Sequence, residues 1–568
     1  MGVGFYDGAC RIAGEQHITI VCGQLKGFKF SGKLWLDKPE NLAVKSVKPR
    51  EFLNLLGATG GTAAALKAGT ALGLLPGSAA AASLDLFNIP GNNRKVAILG
   101  GGISGLTVAY ELSKVGYDCT ILEASHRCGG RIFTVRHGDL IDEIGNRQYC
   151  EFDDEPHMYF NAGAARIPST HRNLLAYCKE LGVELEVFVN ENKTSYVQDD
   201  AMLDGKPVRN IEYTTHMRGF MAELMAKALS QEELNAPFTD AEAETLLSMI
   251  RSFGDLNEDD LYEGSFRAGY ASGGFLKHGV QKDIIAFRDL LKTRLGRQLL
   301  NANEGDTGPI LMQPVGGMDM IIRGYLRQVG EKVRYRAMVA GVQVTDKGVE
   351  VAYDQDGVRH KLDADYCFNC IPTHLMVGID HNFPNDYVRA MKYVRRGEAY
   401  KAAFQAKRRF WEDDDIYGGI SWMANPSRQV WYPSHGIHKD KGIVLGAYDY
   451  GGGMYHTVMT QQERIEAHLR DGEKLHPNYR QLVEKPITIA WHRMNHMLGC
   501  SARWSRNFQE GWTHEEEELY HTLQAPVNGR HYFIGDQISM HSAWQESAIM
   551  SAQWAMADLD QRVRAEAA

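Results

Sequence analysis

The sequence has no excess of basic residues. It carries 62 Lys and Arg against 71 Asp and Glu, a formal net charge of −9. A nucleic-acid backbone calls for a cationic surface, so that partner class is excluded. HExxH and paired Cys/His spacings are also missing despite 21 His, and no metal site is expected. The nine cysteines are scattered and odd in number, which argues for reduced thiols over a disulfide framework. The one CxxC, Cys367-Phe368-Asn369-Cys370, lies in an apolar run that stops at Pro372. That run reads as a buried strand with the two thiols on opposite faces, whereas a redox CxxC normally opens a helix. Long apolar runs are lacking too. The Ala/Gly/Thr-rich stretch up to about Leu84 is interrupted by Lys67 and Pro76 and is too polar to span a bilayer. No membrane partner, internal repeat or low-complexity tail is expected.

What is present is a chain of 568 residues, long enough for two to four domains, with 44% hydrophobic and 23% charged residues, as in a soluble globular protein. Ser46-Val47-Lys48-Pro49-Arg50-Glu51-Phe52-Leu53 looks like a twin-arginine export signal that has lost one arginine, and Ala80-Ala81-Ala82-Ser83 like a relic cleavage site. About 45 residues precede it, so it reads as a degenerate or retained leader. The expectation is a soluble protein, cytoplasmic as retained, with a periplasmic or secreted ancestor.

The clearest unit begins at Arg94. Lys95-Val96-Ala97-Ile98-Leu99 is a buried parallel strand by its apolar run. Gly100-Gly101-Gly102-Ile103-Ser104-Gly105 follows, then Ile103, Leu106, Thr107 and Tyr110 recur at helical spacing, and Gly116 ends the helix. Cys119-Thr120-Ile121-Leu122-Glu123 is the second strand. In this βαβ unit Gly100 makes the turn, Gly102 admits a pyrophosphate, and Gly105 lets helix and strand pack closely. The helix N-terminus, with Ser104 in its first turn, offers N–H groups and a positive dipole end to phosphates. Glu123 can accept both hydroxyls of an adenosine ribose. Directly after it, Arg127-Cys128-Gly129-Gly130-Arg131 supplies a glycine pair for close backbone approach and two arginines to bind or orient the phosphate side.

Elsewhere the pattern is coarser. Residues 206–306 read as helical. Residues 332–370 alternate as strands around the turn Asp354-Gln355-Asp356-Gly357. Residues 400–450 are strand-like, and 512–523 form a helix opened by the capping box of Thr513 with Glu516. The acidic run 515–518 is then a dipole-matched first turn. Tyr532-Phe533-Ile534-Gly535-Asp536 is strand-to-turn, and a final helix starts near Ala543.

With G-x-G-x-x-G, Glu123 and the Gly-Gly-Arg run together, the chain resembles the flavin amine oxidase family, and within it the bacterial FAD-dependent L-amino acid oxidases. The likeness extends from about Arg94 to Leu559 and includes Gln313-Pro314-Val315-Gly316-Gly317-Met318 and Ser542-Ala543-Trp544-Gln545-Glu546-Ser547. It implies an α/β fold: a Rossmann-like FAD-binding domain of the p-hydroxybenzoate hydroxylase type, a mixed-sheet substrate-binding domain and a helical domain. The implied division is an N-terminal extension at 1–93, FAD-binding parts at 94–165, 307–399 and 522–568, substrate-binding parts at 166–205 and 400–521, and the helical domain at 206–306.

The resemblance also implies site residues. Asn161-Ala162-Gly163-Ala164-Ala165-Arg166-Ile167-Pro168 matches a segment whose arginine holds the substrate α-carboxylate; the planar guanidinium suits that group bidentately. Ala164, Ala165 and Arg166 also fall against FAD, as do Ala124, Gly130, Arg131 and Val339. Lys401 matches a lysine that holds a water near flavin N5. Tyr448 aligns with a tyrosine that makes a second carboxylate contact, although a core tyrosine fits equally. Backbone near Gly535 and Asp536 meets a phosphate or the ribityl chain. Trp544 either walls the substrate chamber or belongs to the core. Ala543 stands where the family usually has glycine. His278 matches poorly and is assigned no role.

The implied activity is oxidative deamination of L-amino acids, broad with an aromatic or hydrophobic leaning. A hydride passes from Cα to flavin N5, and oxygen then yields hydrogen peroxide, a 2-oxo acid and ammonia. An L-amino acid 2-monooxygenase and an oxidase for arginine or lysine remain open alternatives, and a homodimer or higher homo-oligomer is implied.

Overall fold

The computed structural model describes residues 93–229, 238–301, 304–452, 454–504 and 511–567, and before them the strand residues 3–4, 11–12, 18–19 and 46–47. The chain divides into two compact units, Met1–Ser83 and Leu84–Ala568. In the first, the strands Val3–Gly4, Arg11–Ile12, Ile18–Thr19 and Ser46–Val47 pair antiparallel. The rest of the leader-like segment, with its Ala80–Ser83 cleavage-like site, lies outside the described residues.

The second unit is built on β1 (Lys95–Leu99), α1 (Ile103–Lys114), β2 (Asp118–Glu123), β3 (Val333–Tyr335), β4 (Tyr366–Asn369), β5 (His531–Phe533) and α2 (Gln545–Ala567). The five strands are all parallel, in the order β3-β2-β1-β4-β5. A parallel sheet is covered on both faces, which is why β1 is apolar throughout rather than alternating. Val96 and Ile98 meet Leu106 and Leu112 of α1 and Ile549 and Met556 of α2. Leu99 faces the opposite core with Val342, Val351 and Phe533. The two thiols of the CxxC also part: Cys367 joins that opposite core and Cys370 packs towards α1. The strand order turns back at β1, and α/β sheets bind ligands at the carboxyl ends of strands beside such a reversal.

A second, seven-stranded sheet runs Val208–Arg209, Tyr196–Gln198, Gly419–Met423, Gln429–Tyr432, Gly442–Tyr450, Ala399–Ala406 and Val483–Ala490. It is mixed: Tyr196–Gln198 pairs parallel with Gly419–Met423 and the other pairings are antiparallel. Residues two apart share a face of a strand. Ala399 and Ala403 therefore point with Ile420, Trp431 and Ile487 into one core. Tyr400 and Phe404 point with Tyr432 and Tyr479 into the other.

The capping box Thr513–Glu516 opens the helix His514–Gln524. The turn at Asp356 and Gly357, both with positive φ, joins the strands Val349–Gln355 and Val358–Ala364. The helical reading of 206–306 holds for Asn210–Leu229 and Asp240–Gly254 but not for the hairpin Tyr270–Ser272 with Val280–Gln281. There Gly269, Gly273 and Gly274 adopt positive φ, which ends helical geometry. His278 lies exposed on this hairpin. Among the described residues, no helix is long and apolar enough to cross a membrane, and no group of three or more His, Cys, Asp or Glu side chains gathers as for a metal ion.

The tightest point of the first βαβ unit is Gly105, where an added Cβ would sit 2.3 Å from the Gly100 carbonyl oxygen and 2.9 Å from Cys370 Sγ. Gly105→Ala is expected to push α1 off β1 and to cost about 1–3 kcal/mol, as overpacking does. Urea unfolding checks this; an unchanged midpoint would show that the approach is not tight.

Candidate active site

A cavity of about 1140 Å³ opens at the carboxyl ends of β1, β2, β4 and β5. Ordinary small-molecule sites span roughly 300–1,000 Å³, so this one has room for a cofactor and a substrate together. Its lining includes Gly100 and Gly102 after β1, Glu123 and Ala124 at β2, Cys370 after β4, and Gly535 and Asp536 after β5.

The dinucleotide end is made for phosphate. Gly102 is the N-cap of α1, no side chain caps the helix there, and a Cβ on Gly102 would meet no atom within 4 Å. The first-turn N–H groups and the positive helix end therefore face open space. Ser104 lines the same space, whereas Gly105 lies behind it and does not. Glu123 is buried and accepts from the N–H of Gly101 at 2.7 Å and of Ser125 at 2.8 Å. Burial pushes its carboxyl up against these bonds. Each oxygen keeps a lone pair for a hydroxyl. Val339 lines this end beside it, and the Ala337 N–H donates to the Glu123 carbonyl at 3.0 Å.

The two arginines of the Arg-x-Gly-Gly-Arg run bond to protein groups. Arg127 lies 3.8 Å over the Phe133 ring and donates to the Gly130 carbonyl at 2.9 Å. Arg131 lines the cavity but forks onto Asp536, at 2.7 and 2.5 Å. Arg396 adds a bond at 3.2 Å and the Ala502 N–H one at 2.8 Å. Burial opposes ionisation of Asp536, but Arg131 and then Arg396 outweigh it and hold its carboxyl well below the usual range. A buried carboxylate demands such partners, and that demand decides where the arginines point. Arg396 belongs to no motif, so sequence reasoning missed it.

The second end is aromatic and cationic. Ala162, Gly163, Ala164, Ala165 and Arg166 cross the cavity beside the Gly-Gly loop. A Cβ on Gly163 would fall 1.7 Å from the Arg131 carbonyl oxygen, so only glycine allows this crossing. Arg166 donates to Asn190 Oδ1 and lies 5.1 Å from the Trp431 ring centroid. Among the described residues no carboxylate pairs with it. Lys401 shares the cavity face of its strand with Ala399 and is opposite Tyr448 in register. Its Nζ donates to the carbonyls of Gly163 at 2.7 Å and Asn161 at 3.0 Å. Burial, and then the Arg166 charge, pull the lysine down to about 7. Tyr448 lies half-buried on the cavity, with its ring edge-on to Trp431 at 5.4 Å. Trp544 also lines the cavity, edge-on to His171 at 4.9 Å. Ala543 beside it has φ +78°, the left-handed conformation that a glycine adopts without strain.

Sequence reasoning missed Asn190, Trp422, Trp431 and Trp491 as lining residues. For the three tryptophans the signal was the density of aromatics around 417–456 and 491–504, which does not say which face each one takes; Asn190 lies outside both stretches. Among the described residues that line the cavity only Glu123 and Asp536 are acidic, and both belong to the dinucleotide end.

The depressed lysine has a consequence for stability. Unfolded lysine titrates near 10.4, so between about pH 7 and 10.4 the unfolded chain binds the extra proton. This contribution is full above that window and is lost as pH falls to 7. Lys401→Met is expected to be more stable than the parent at pH 7, with the difference shrinking towards pH 9.5. Paired urea titrations at the two pH values check this; a constant difference would mean that Lys401 does not titrate in this range.

Comparison with known proteins agrees with this geometry. The family model described as flavin containing amine oxidoreductase matches residues 103–558, and one described as pyridine nucleotide-disulphide oxidoreductase matches residues 28–149. An L-amino-acid oxidase of Demansia vestigiata is 24% identical over 492 residues, covering 83% of this chain and 87% of that protein. A flavin-dependent L-tryptophan oxidase of Lentzea aerocolonigenes is 26% identical over 495 residues, covering 81% and 96%. Among solved structures, putrescine oxidase bound to putrescine has a TM-score of 0.55 at 18% identity, covering 83% of this chain and 99% of that one. Cyclohexylamine oxidase from Brevibacterium oxydans IH-35A also has a TM-score of 0.55, at 16% identity, covering 83% and 100%. These last two likenesses are of fold. The phosphate-ready helix end, the ribose acid and the match over 103–558 make one conclusion: the chain belongs to the flavin-containing amine oxidoreductases and takes FAD as its cofactor.

Proposed function

We propose that the protein is an L-amino acid oxidase. One observation carries this reading. Arg166 presents a guanidinium to the cavity, and among the described residues no carboxylate neutralises it. An amine-only oxidase has no use for such a group, whereas an α-carboxylate satisfies it by a two-point bond. That relatives of this chain are L-amino-acid and L-tryptophan oxidases supports the same choice.

FAD, held by Gly100, Gly102, Ser104, Glu123 and the Gly535 turn, supplies the two-electron acceptor. Arg166 binds the substrate carboxylate, and Tyr448, beside Trp431, offers its hydroxyl as a second contact. Holding both reactants in one orientation supplies much of the rate. Above about pH 7 Lys401 is a neutral amine. Its two N–H bonds go to Asn161 and Gly163 and its lone pair remains to take a proton at Nζ. Ile420, Trp422, Trp431 and Trp491 line the substrate end and exclude water from it. These walls favour apolar and aromatic side chains. Among the described residues no acid at this end meets the terminal charge of arginine, lysine or a diamine. The products are a 2-oxo acid and ammonia, with hydrogen peroxide from oxygen.

Addition of L-phenylalanine without air is expected to bleach the bound flavin, and air to restore it with peroxide and phenylpyruvate. Phenylacetamide in place of phenylpyruvate would move the assignment to a monooxygenase. Arg166→Ala should raise KM for L-phenylalanine by on the order of 100-fold while leaving 2-phenylethylamine nearly unchanged. Equal effects on both would remove the carboxylate argument.

A further inference from the structure

Arg166 and Asn190 leave the two outer strands of one small sheet. Ile167–Pro168 and Leu185–Val187 flank Leu311–Pro314, and Ile167 and Val187 both pair with Met312. Arg166 directly precedes the first strand, and Asn190 is three residues beyond the second. The Arg166 Nη1 donates to the Asn190 side-chain oxygen, and both residues line the cavity. The second support of the guanidinium is the Trp431 ring, itself fixed by the bond from its Nε1 to Gln429 Oε1 at 2.6 Å. Both supports are uncharged. The two acids close to Asn190 in sequence are engaged with other groups: Glu191 with Lys193, and Glu186 with Gln313 at 2.9 Å.

A partner has two effects on a cation. It restricts rotation, and if it is an anion it also cancels the charge. An aspartate at 190 would hold Arg166 at least as firmly as asparagine does, but it would occupy the guanidinium with an ion pair that a substrate carboxylate must break. A neutral amide gives the orientation alone. We propose that Asn190 is a positioning residue that aims Arg166 at the substrate carboxylate while leaving its charge uncancelled. The proposal rests on the L-amino acid oxidase reading. It adds a residue outside every motif, and a reason for its being an amide.

The test uses the FAD-loaded enzyme and the probe 3-phenylpropanoate, an aromatic carboxylate without the amine. Its dissociation constant is read from the visible spectrum of the bound flavin, and 2-phenylethylamine serves as the probe without the carboxylate. Asn190→Ala removes one charge-assisted hydrogen bond and is expected to weaken 3-phenylpropanoate about 10-fold. Asn190→Asp, nearly the same shape, is expected to weaken it by about 100-fold or more and to raise KM for L-phenylalanine with little change in kcat. Asn190→Ser, which keeps a neutral acceptor, should stay within about 5-fold of the parent. Binding of 2-phenylethylamine should move little in all three. If Asn190 serves only the fold, the order reverses, since aspartate keeps the bond that alanine loses. An aspartate variant that binds 3-phenylpropanoate as well as the parent, or better than the alanine variant, overturns this proposal alone. Should Asn190→Asp fail to fold, the alanine and serine variants decide: equal weakening in both overturns it. A parent enzyme that binds 2-phenylethylamine but not 3-phenylpropanoate removes the carboxylate reading and this proposal with it.

Discussion

The ion cluster at Asp536 is the constraint on which the rest of the site depends. Its carboxylate, 4% exposed, receives Arg131 from the Gly-Gly loop, Arg396 from the approach to the second sheet, and the Ala502 N–H from the return out of it. Four segments far apart in sequence thus meet at one oxygen pair, beside the carboxyl ends of β1 and β5. Charges removed from water persist only if their partners are placed well, and losing one member leaves the others unpaired in a poor dielectric. The cluster therefore joins the parallel sheet to the mixed sheet and keeps the cavity between them open to both. Gly163 completes the join, because its missing side chain lets the Arg166 segment lie against the Arg131 carbonyl.

Across the cavity the electrostatics are arranged the other way. Arg166 and Lys401 both lie near the Trp431 ring, at 5.1 and 5.7 Å, and among the described lining residues no acid stands at this end. Burial, and then the charge of Arg166, depress the lysine, and the arginine, held by an amide and an aromatic face, stays receptive to an anion. At one end of the cavity Asp536 is paired with two arginines. The other has its positive charge deliberately unbalanced, so an incoming anion does the pairing. The pairing at the first end fixes the geometry, and the imbalance at the second sets what can bind.

How much of this was legible in the sequence follows from the distance over which each feature is encoded. The turn and helix at Gly100, Gly102 and Gly105, the acid Glu123, the capping box at Thr513 and the hairpin turn at Asp356-Gly357 are each settled within a few residues, by backbone geometry and local hydrogen bonds. They are found where the sequence places them. The hairpin at 270–281 was lost inside a region read as helical, because its apolar residues suit both periodicities and only its glycines argued against a helix.

Arg166, Lys401, Tyr448 and Trp544 were named from motif likeness, and the structure brings all four to one cavity. The partners of Arg131 and Arg166 were beyond reach, because Asp536 is 405 residues from Arg131 and Asn190 lies outside any motif. By itself the sequence determined the βαβ unit, which rests on local spacing, while FAD and the candidate polar groups followed from the family resemblance of its motifs. Only the tertiary structure decided which arginine is neutralised and which is left charged. That depends on which carboxylate or amide the fold carries to within hydrogen-bond distance, and no local pattern encodes it.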